Sequence, residues 1–208
     1  MKRTLVSLVF CAAFALPALA EPLPAVPPIP KDNSMSHRKV ELGKMLFFDP
    51  RLSSSGVVSC ATCHNPSFAF TDRVPRALGH NPQVGPRNTP TVLNSAFLDS
   101  QFWDGRAATL EEQALGPIQA TVEMNESLEK VTRRLGEIPE YRKMFTEVFG
   151  GKEAVSSGNI AKAIAAFERT LVTPNSPFDR YLMGDYGAIS ADARRGWELF
   201  QKKGCNSC

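Results

Sequence analysis

Strand signals are nearly missing from this chain: alternation of apolar and polar residues is rare, and runs of β-branched residues do not recur. A sheet-built fold is thereby excluded, and a mainly helical one is expected. An excess of one charge is missing too. The sequence holds 24 Lys and Arg against 21 Asp and Glu, with no basic run, so it offers no electrostatic footprint for nucleic acid. After residue 20 no stretch stays apolar long enough to cross a bilayer, and no transmembrane anchor is expected. Cysteine is scarce, but four of the five fall in two C-x-x-C pairs, at 60/63 and 205/208. Histidine is scarcer, with His37, His64 and His80 alone.

What is present begins with "MKRTLVSLVFCAAFALPALA", a Lys2-Arg3 start, an apolar core and the small-residue ending Ala18-Leu19-Ala20. This is the pattern of a Sec signal peptide cleaved near Ala20-Glu21, and it implies export. Cys11 follows bulky Phe10 where a lipobox needs a small residue, so it reads as incidental. Loss of Lys2 and Arg3 with the leader brings the charges almost to balance.

Residues 21–30, "EPLPAVPPIP", are rich in proline and read as an extended, surface-following segment. Val40, Leu42, Met45 and Leu46 form a helical stripe that Pro50 ends. From the first cysteine pair to Pro90 the chain is irregular and studded with prolines, the kind of long loop that needs something to hold it. Beyond it, "TLEEQALGP" predicts a short helix closed by Gly116-Pro117. "NESLEKVTRRLG" predicts one capped by Asn125 and stopped at Gly136. Pro139 opens another that ends at Gly150-Gly151. Ile160, Ala163, Ile164, Phe167 and Leu171 give the cleanest amphipathic helix, ended by Pro174 and Pro177. Ser190 caps a last helix that Gly204 closes just before Cys205. An apolar-rich helix thus leads into each C-x-x-C, a weak internal repeat with a boundary between 175 and 190.

Cys60-Ala61-Thr62-Cys63-His64 admits three chemistries. A structural zinc site wants four ligands, and no second pair lies near. A redox dithiol of the thioredoxin kind wants a strand before it and a helix after it, and neither is signalled here. A disulfide within either pair closes a tiny loop that constrains the unfolded chain little, and gives His64 no part. C-x-x-C-H is the pattern of c-type haem attachment. Two thiols one turn apart can form thioethers to the porphyrin, and the next histidine is brought under the iron as its proximal ligand. Haem also gives the irregular segment an apolar centre to pack on. His80, in a Gly/Pro-rich loop, is a candidate for the iron's far face, or a surface residue; His37, beside Arg38 and Lys39, reads as solvated.

The segments "VELGKMLFFDPRLSSSGVVSCATCHNPSFAFTD", "GHNPQVGPRNTPTVLNSAF", "QFWDGRAATLEEQALGPIQATVEMN" and "RRGWELFQKKGCNSC" together resemble the bacterial dihaem cytochrome c peroxidases and their MauG-like relatives. The resemblance implies a periplasmic protein of cytochrome c-like haem domains with long irregular loops. It places the peroxidatic domain at residues 21–185 after a leader of 1–20, and the start of a second, electron-transfer haem domain at 186–208. It implies two covalent haem c groups, one on Cys60, Cys63 and His64, the other on Cys205 and Cys208. By the same resemblance His80 is the resting distal ligand, Trp103 stands between the haems and Glu123 is the acid/base at the peroxide. Gln113 lines that pocket, and Asn88 contributes to an interdomain calcium site.

The implied reaction is reduction of hydrogen peroxide to water with electrons from a small redox protein, a cytochrome c or cupredoxin, by a protein that is commonly a homodimer. The sequence stops before the histidine expected after Cys208, as a fragment would, and turnover is not expected from this stretch alone. Two rivals stand beside it: a MauG-like oxidase or maturation enzyme, and a non-catalytic electron-transfer cytochrome. Arg106 is expected to pair with a carboxylate or a haem propionate. Without the resemblance, Glu123 reads as a solvated carboxylate, Trp103 as a core aromatic and Asn88 as a turn residue.

Overall fold

A computed structural model describes residues 20–207; the signal-peptide assignment, Cys11 and Cys208 lie outside them. Eight helices succeed one another: α1 His37–Phe48, α2 Cys60–Cys63, α3 Leu110–Gln119, α4 Leu128–Glu137, α5 Pro139–Phe149, α6 Ser157–Glu168, α7 Pro177–Leu182 and α8 Ala191–Lys202. Pairing of β type is confined, among the described residues, to the isolated bridges Asn65–Thr71, Leu78–Val84 and Gln101–Ala107. The expectation of a mainly helical fold with long irregular loops holds. No helix among the described residues is long and apolar enough to cross a membrane.

The chain divides into two compact units, residues 25–173 and residues 174–207 with the described 20–24. Residues 174–185, expected with the first domain, cluster instead with residues 186–207. The reason is local: Phe178 on α7 sets its ring edge-on to Trp197 on α8 at 5.1 Å, and Asp179 accepts the Leu23 N–H at 2.8 Å.

In the larger unit α1 and α6 form the central pair, with α3, α4 and α5 packed around them. Their approach depends on Gly43, where a Cβ would stand 1.8 Å from the Ala163 carbonyl oxygen. Only a bare backbone fits. Leu42, Leu46, Phe47, Ile160, Ile164 and Phe145 are buried here, and the Phe47 ring meets those of Phe167 at 5.2 Å and Phe70 at 6.2 Å. A polar core accompanies the apolar one. Arg169 donates two hydrogen bonds to Glu111 on α3, at 2.7 and 3.0 Å, and Asn33 donates to the same carboxylate at 2.6 Å. Lys39 on α1 donates to Asn33 at 2.9 Å, so the segment before α1, α1 itself, α3 and the end of α6 share one network.

Four predicted boundaries move. α3 runs through Gly116-Pro117 to Gln119, because a proline near a helix end removes few hydrogen bonds, and Ala120 N–H still reaches the Gly116 carbonyl at 3.0 Å. α4 is capped by Ser127, whose Oγ accepts Lys130 N–H at 3.3 Å, whereas Asn125 sits before it in a left-handed turn at φ 51°. Gly136 lies inside α4, which ends at Glu137 because Pro139 disfavours helix at Ile138, the residue before it. α6 stops at Glu168, short of Leu171.

Candidate haem site

The short helix α2 carries the attachment motif. Thr62 Oγ1 accepts the Ser59 N–H at 2.9 Å, and His64 N–H returns to the Cys60 carbonyl at 2.9 Å, so one turn is wound with its two thiols a turn apart. Both cysteines are free. Burial, with Glu168 adding to it, pushes the Cys60 thiol up to about 12, and burial with Asp72 raises Cys63 to about 11. These are protonated thiols at neutral pH, not a thiolate pair poised for redox exchange.

After His64 the chain turns back. Asn65 and Thr71 bridge, and Ala69 and Phe70 both take left-handed backbone, φ 56° and 57°. This turn carries the Phe70 carbonyl to within 3.1 Å of His64 Nδ1. A carbonyl can only accept, so Nδ1 holds the proton and Nε2 keeps its lone pair. Burial lowers the His64 pKa, against an opposing pull from the Phe70 and Pro90 carbonyls. A neutral, oriented imidazole with a free Nε2 is what an iron ligand requires.

Next to it lies a cavity of about 350 Å³, lined by Cys63, His64, Asn88, Trp103, Gln113 and Glu123 among others. Hydrogen bonds hold its wall. Thr71 Oγ1 donates to the Thr89 carbonyl at 2.7 Å, and Thr89 Oγ1 to Asp72 at 2.6 Å. Trp103 Nε1 donates to the Asn88 carbonyl at 2.9 Å, while Asn88 Nδ2 donates to the Val74 carbonyl at 2.6 Å. Trp103 is 65% exposed, so it is a wall residue and not the core aromatic that its type alone suggests. Arg106 and Arg87 each pair with Asp104 at 2.8 Å and hold that carboxyl down to about 2; the Arg106 guanidinium also covers the Phe102 ring at 3.5 Å. Of the two partners expected for Arg106, the carboxylate is present.

Burial raises the Glu123 pKa, with Arg106 pulling the other way. His80 is bound to this segment through its backbone: its N–H donates to the Glu123 carbonyl at 2.8 Å. Gly79 permits the approach, because a Cβ there would come 2.1 Å from the Val122 carbonyl oxygen. The His80 ring points elsewhere, with Nδ1 3.3 Å from Ser54 Oγ, and His80 is not among the cavity-lining residues. Cys63, His64, Asn88, Trp103, Gln113 and Glu123 thus line one cavity; Cys60, on the same helical turn as Cys63, and His80 are not in its lining. Cys205 is exposed in the second unit. Among the described residues no group of three or more His, Cys, Asp and Glu is arranged to hold a metal ion.

The residues fit a haem. Besides the thiol pair and the free imidazole nitrogen, the cavity wall carries two buried polar atoms without partners, Ser95 Oγ and Glu168 Oε2. Such atoms are costly unless something in the cavity meets them. Both went unnoticed in the sequence, although Glu168 had a signal: it continues the Ile160–Ile164 stripe by one more turn, placing a carboxyl where an apolar residue is expected.

Residues 37–187 match the family model for di-haem cytochrome c peroxidases. The chain belongs to this family. As a di-haem peroxidase family member it is 50% identical over 193 residues to the cytochrome c551 peroxidase of Pseudomonas aeruginosa, covering 92% of this chain and 56% of that protein. It is also 50% identical over 182 residues to the methylamine utilization protein MauG of Methylorubrum extorquens, covering 87% and 52%. The crystal structure of a MauG-like protein associated with microbial copper homeostasis superposes with a TM-score of 0.77 at 33% identity, over 88% of this chain and 53% of that one. The chain therefore spans about half the length of these relatives.

Proposed function

We propose that the unit of residues 25–173 forms the peroxidatic haem domain of a periplasmic dihaem peroxidase that reduces hydrogen peroxide to two waters, using two protons and two electrons from a small redox protein. The observation that carries this reading is His64 itself: one nitrogen is fixed on the Phe70 carbonyl at 3.1 Å, which leaves the lone pair on the other, one residue after a C-x-x-C pair of protonated thiols. Bound there, the haem iron supplies the redox chemistry that cleaves the O–O bond. Cys60 and Cys63 anchor the group, and His64 holds the iron through Nε2. Glu123 takes a proton from the incoming peroxide and returns it to the departing oxygen, a role suited to a carboxyl whose pKa burial has raised. Gln113 on α3 orients peroxide by hydrogen bonding. Trp103 would carry electrons to and from the haem held by His64, and a second haem would attach at Cys205 and Cys208. Asn88 supplies one oxygen of a calcium site, which needs six to eight in all. The functional unit is a homodimer fed by a cytochrome c or a cupredoxin.

In this reading His80 would be a second protein ligand to the iron at rest. To act so, its ring leaves Ser54 and its backbone releases the Glu123 carbonyl. The position of His80 off the cavity wall favours a second reading, a MauG-like oxidase with an open distal side. Co-expression with a haem c maturation system tests the first claim: the denatured chain gains one porphyrin mass and Cys60 and Cys63 lose their thiols. The reduced, haem-loaded chain is then mixed with hydrogen peroxide, and its spectrum oxidises in a single turnover. Free thiols and no porphyrin mass would sink the proposal. A resting ferric haem that is six-coordinate and low-spin by EPR supports His80 ligation; a high-spin one supports the MauG-like reading.

A further inference from the structure

Glu168 closes α6 on the cavity side. It is 5% exposed, lines the same cavity as Cys63 and His64, and its Oε2 has no hydrogen-bond partner. The cation beside it in the chain gives it no ion pair, because the two terminal nitrogens of Arg169 are committed to Glu111 at 2.7 and 3.0 Å. A buried carboxyl with one unmet oxygen facing a redox cavity has a definite use: it can gain or lose a proton as the charge in that cavity changes.

We propose that Glu168 is a redox-linked proton site of the haem cavity, so that an electron entering the cavity draws a proton from solvent onto this carboxylate. The inference rests on the haem reading above and adds to it a residue with no role in peroxide cleavage. The step balances as one electron from a one-electron donor protein to the iron and one proton from water to Glu168, with no bond between heavy atoms made or broken.

The surroundings set the direction. Burial raises the Glu168 pKa to about 8, Arg169 lowers it and Glu111 on α3 raises it. Lys39 on α1 lies behind them, bound to Asn33 and Ser34. Cys60 on α2 is a neutral thiol close enough to be affected by Glu168. On α4, Lys130 and Arg134 face Glu126, while Glu129, Arg133 and Glu137 are exposed. Glu123, Asp104, Arg87 and Arg106, with Cys63 and His64, make up the rest of the ionisable lining. A ferric centre, being more positive, favours the carboxylate; the ferrous centre favours the acid. Between the two resulting pKa values, reduction takes up a proton.

The test is a potentiometric titration of the haem-loaded chain, followed by its absorbance, from about pH 6 to about pH 9, a range that spans the raised carboxyl. Over part of this range the wild-type oxidised-to-reduced ratio at fixed potential rises toward tenfold per pH unit, which is about 59 mV for a one-electron couple. In Glu168→Gln, with haem content retained, the slope disappears. A wild-type slope in Glu168→Gln overturns the proposal and assigns the proton to another group, such as a propionate. A measurement on the unmutated protein stands beside it: the reduced-minus-oxidised infrared spectrum gains a protonated-carboxyl C=O band, and the absence of such a band overturns the proposal even if the variant folds poorly. A chain that takes up no haem overturns the haem reading, a failure distinct from a haem whose potential ignores Glu168.

Discussion

At the scale of single residues the site is a set of commitments made by neighbours. His64 is readied by a carbonyl that two consecutive left-handed residues deliver, and Glu123 is half-buried with only Arg106 to favour its charge. Glu123→Gln should lower the peroxide rate by about 10²–10⁴-fold while leaving covalent haem unchanged. Its raised pKa fixes the sign of the pH profile. The base form is lost as pH falls, so the wild-type rate declines on the acid side at a pH above the ordinary glutamate value of about 4.3, and the variant shows no such limb. The C-x-x-C-H pattern was legible because its members are neighbours in the chain and lie on one helical turn. His80 was legible as a loop histidine, but its direction was not, since a loop side chain is aimed by tertiary bonds such as the one to the Glu123 carbonyl. Glu168 was hidden by its place in an apolar stripe, where periodicity reports a face and not what the face meets.

At the scale of elements, the helices track apolar spacing, and their ends track hydrogen bonds. Pro139 and Gly150 mark the ends of α5 as expected, whereas Gly116-Pro117 fails to stop α3, and Ser127 displaces Asn125 as the cap of α4. Capping depends on which side-chain oxygen reaches a free N–H, and two candidates two residues apart are not separated by type alone. The polar joint between α3 and α6 was not legible at all, because its members come from distant parts of the chain. Glu111 accepts from Arg169 and Asn33 in that joint, with side-chain exposures of 17% for Glu111 and 5% for Arg169. Glu111→Ala leaves a buried guanidinium without its counter-charge and should cost about 3–5 kcal/mol. Urea unfolding checks this, and a loss below about 1 kcal/mol would place the pair among exposed ones of little consequence.

At the scale of the whole molecule, buried carboxylates set the response to acid. Burial works to raise the pKa of Asp49, but hydrogen bonds from Arg51 and Tyr141 outweigh it; at Glu111, Arg169 and Asn33 do the same, and both groups end below their ordinary values. A folded-state pKa below the unfolded one adds stability that is present above the ordinary carboxylate range and lost as pH falls through the folded values. Thermal unfolding of the chain should therefore shift to lower temperature on acidification below about pH 4, and Asp49→Asn should flatten that acid limb. A limb as steep in the variant as in the wild type would mean that Asp49 makes no contribution.

The contact of Gly43 with Ala163 joins helices from the two ends of the larger unit, with every residue from Cys60 to Glu123 between them. During synthesis the second helix emerges after the whole C-x-x-C-H segment has appeared. Until then nothing can shut the central pair, and Cys60 and Cys63 belong to an open chain. Once the backbones touch, Cys60 packs partly buried against the core. The order of synthesis thus gives these thiols a spell in the open, and the missing side chain at position 43 ends it.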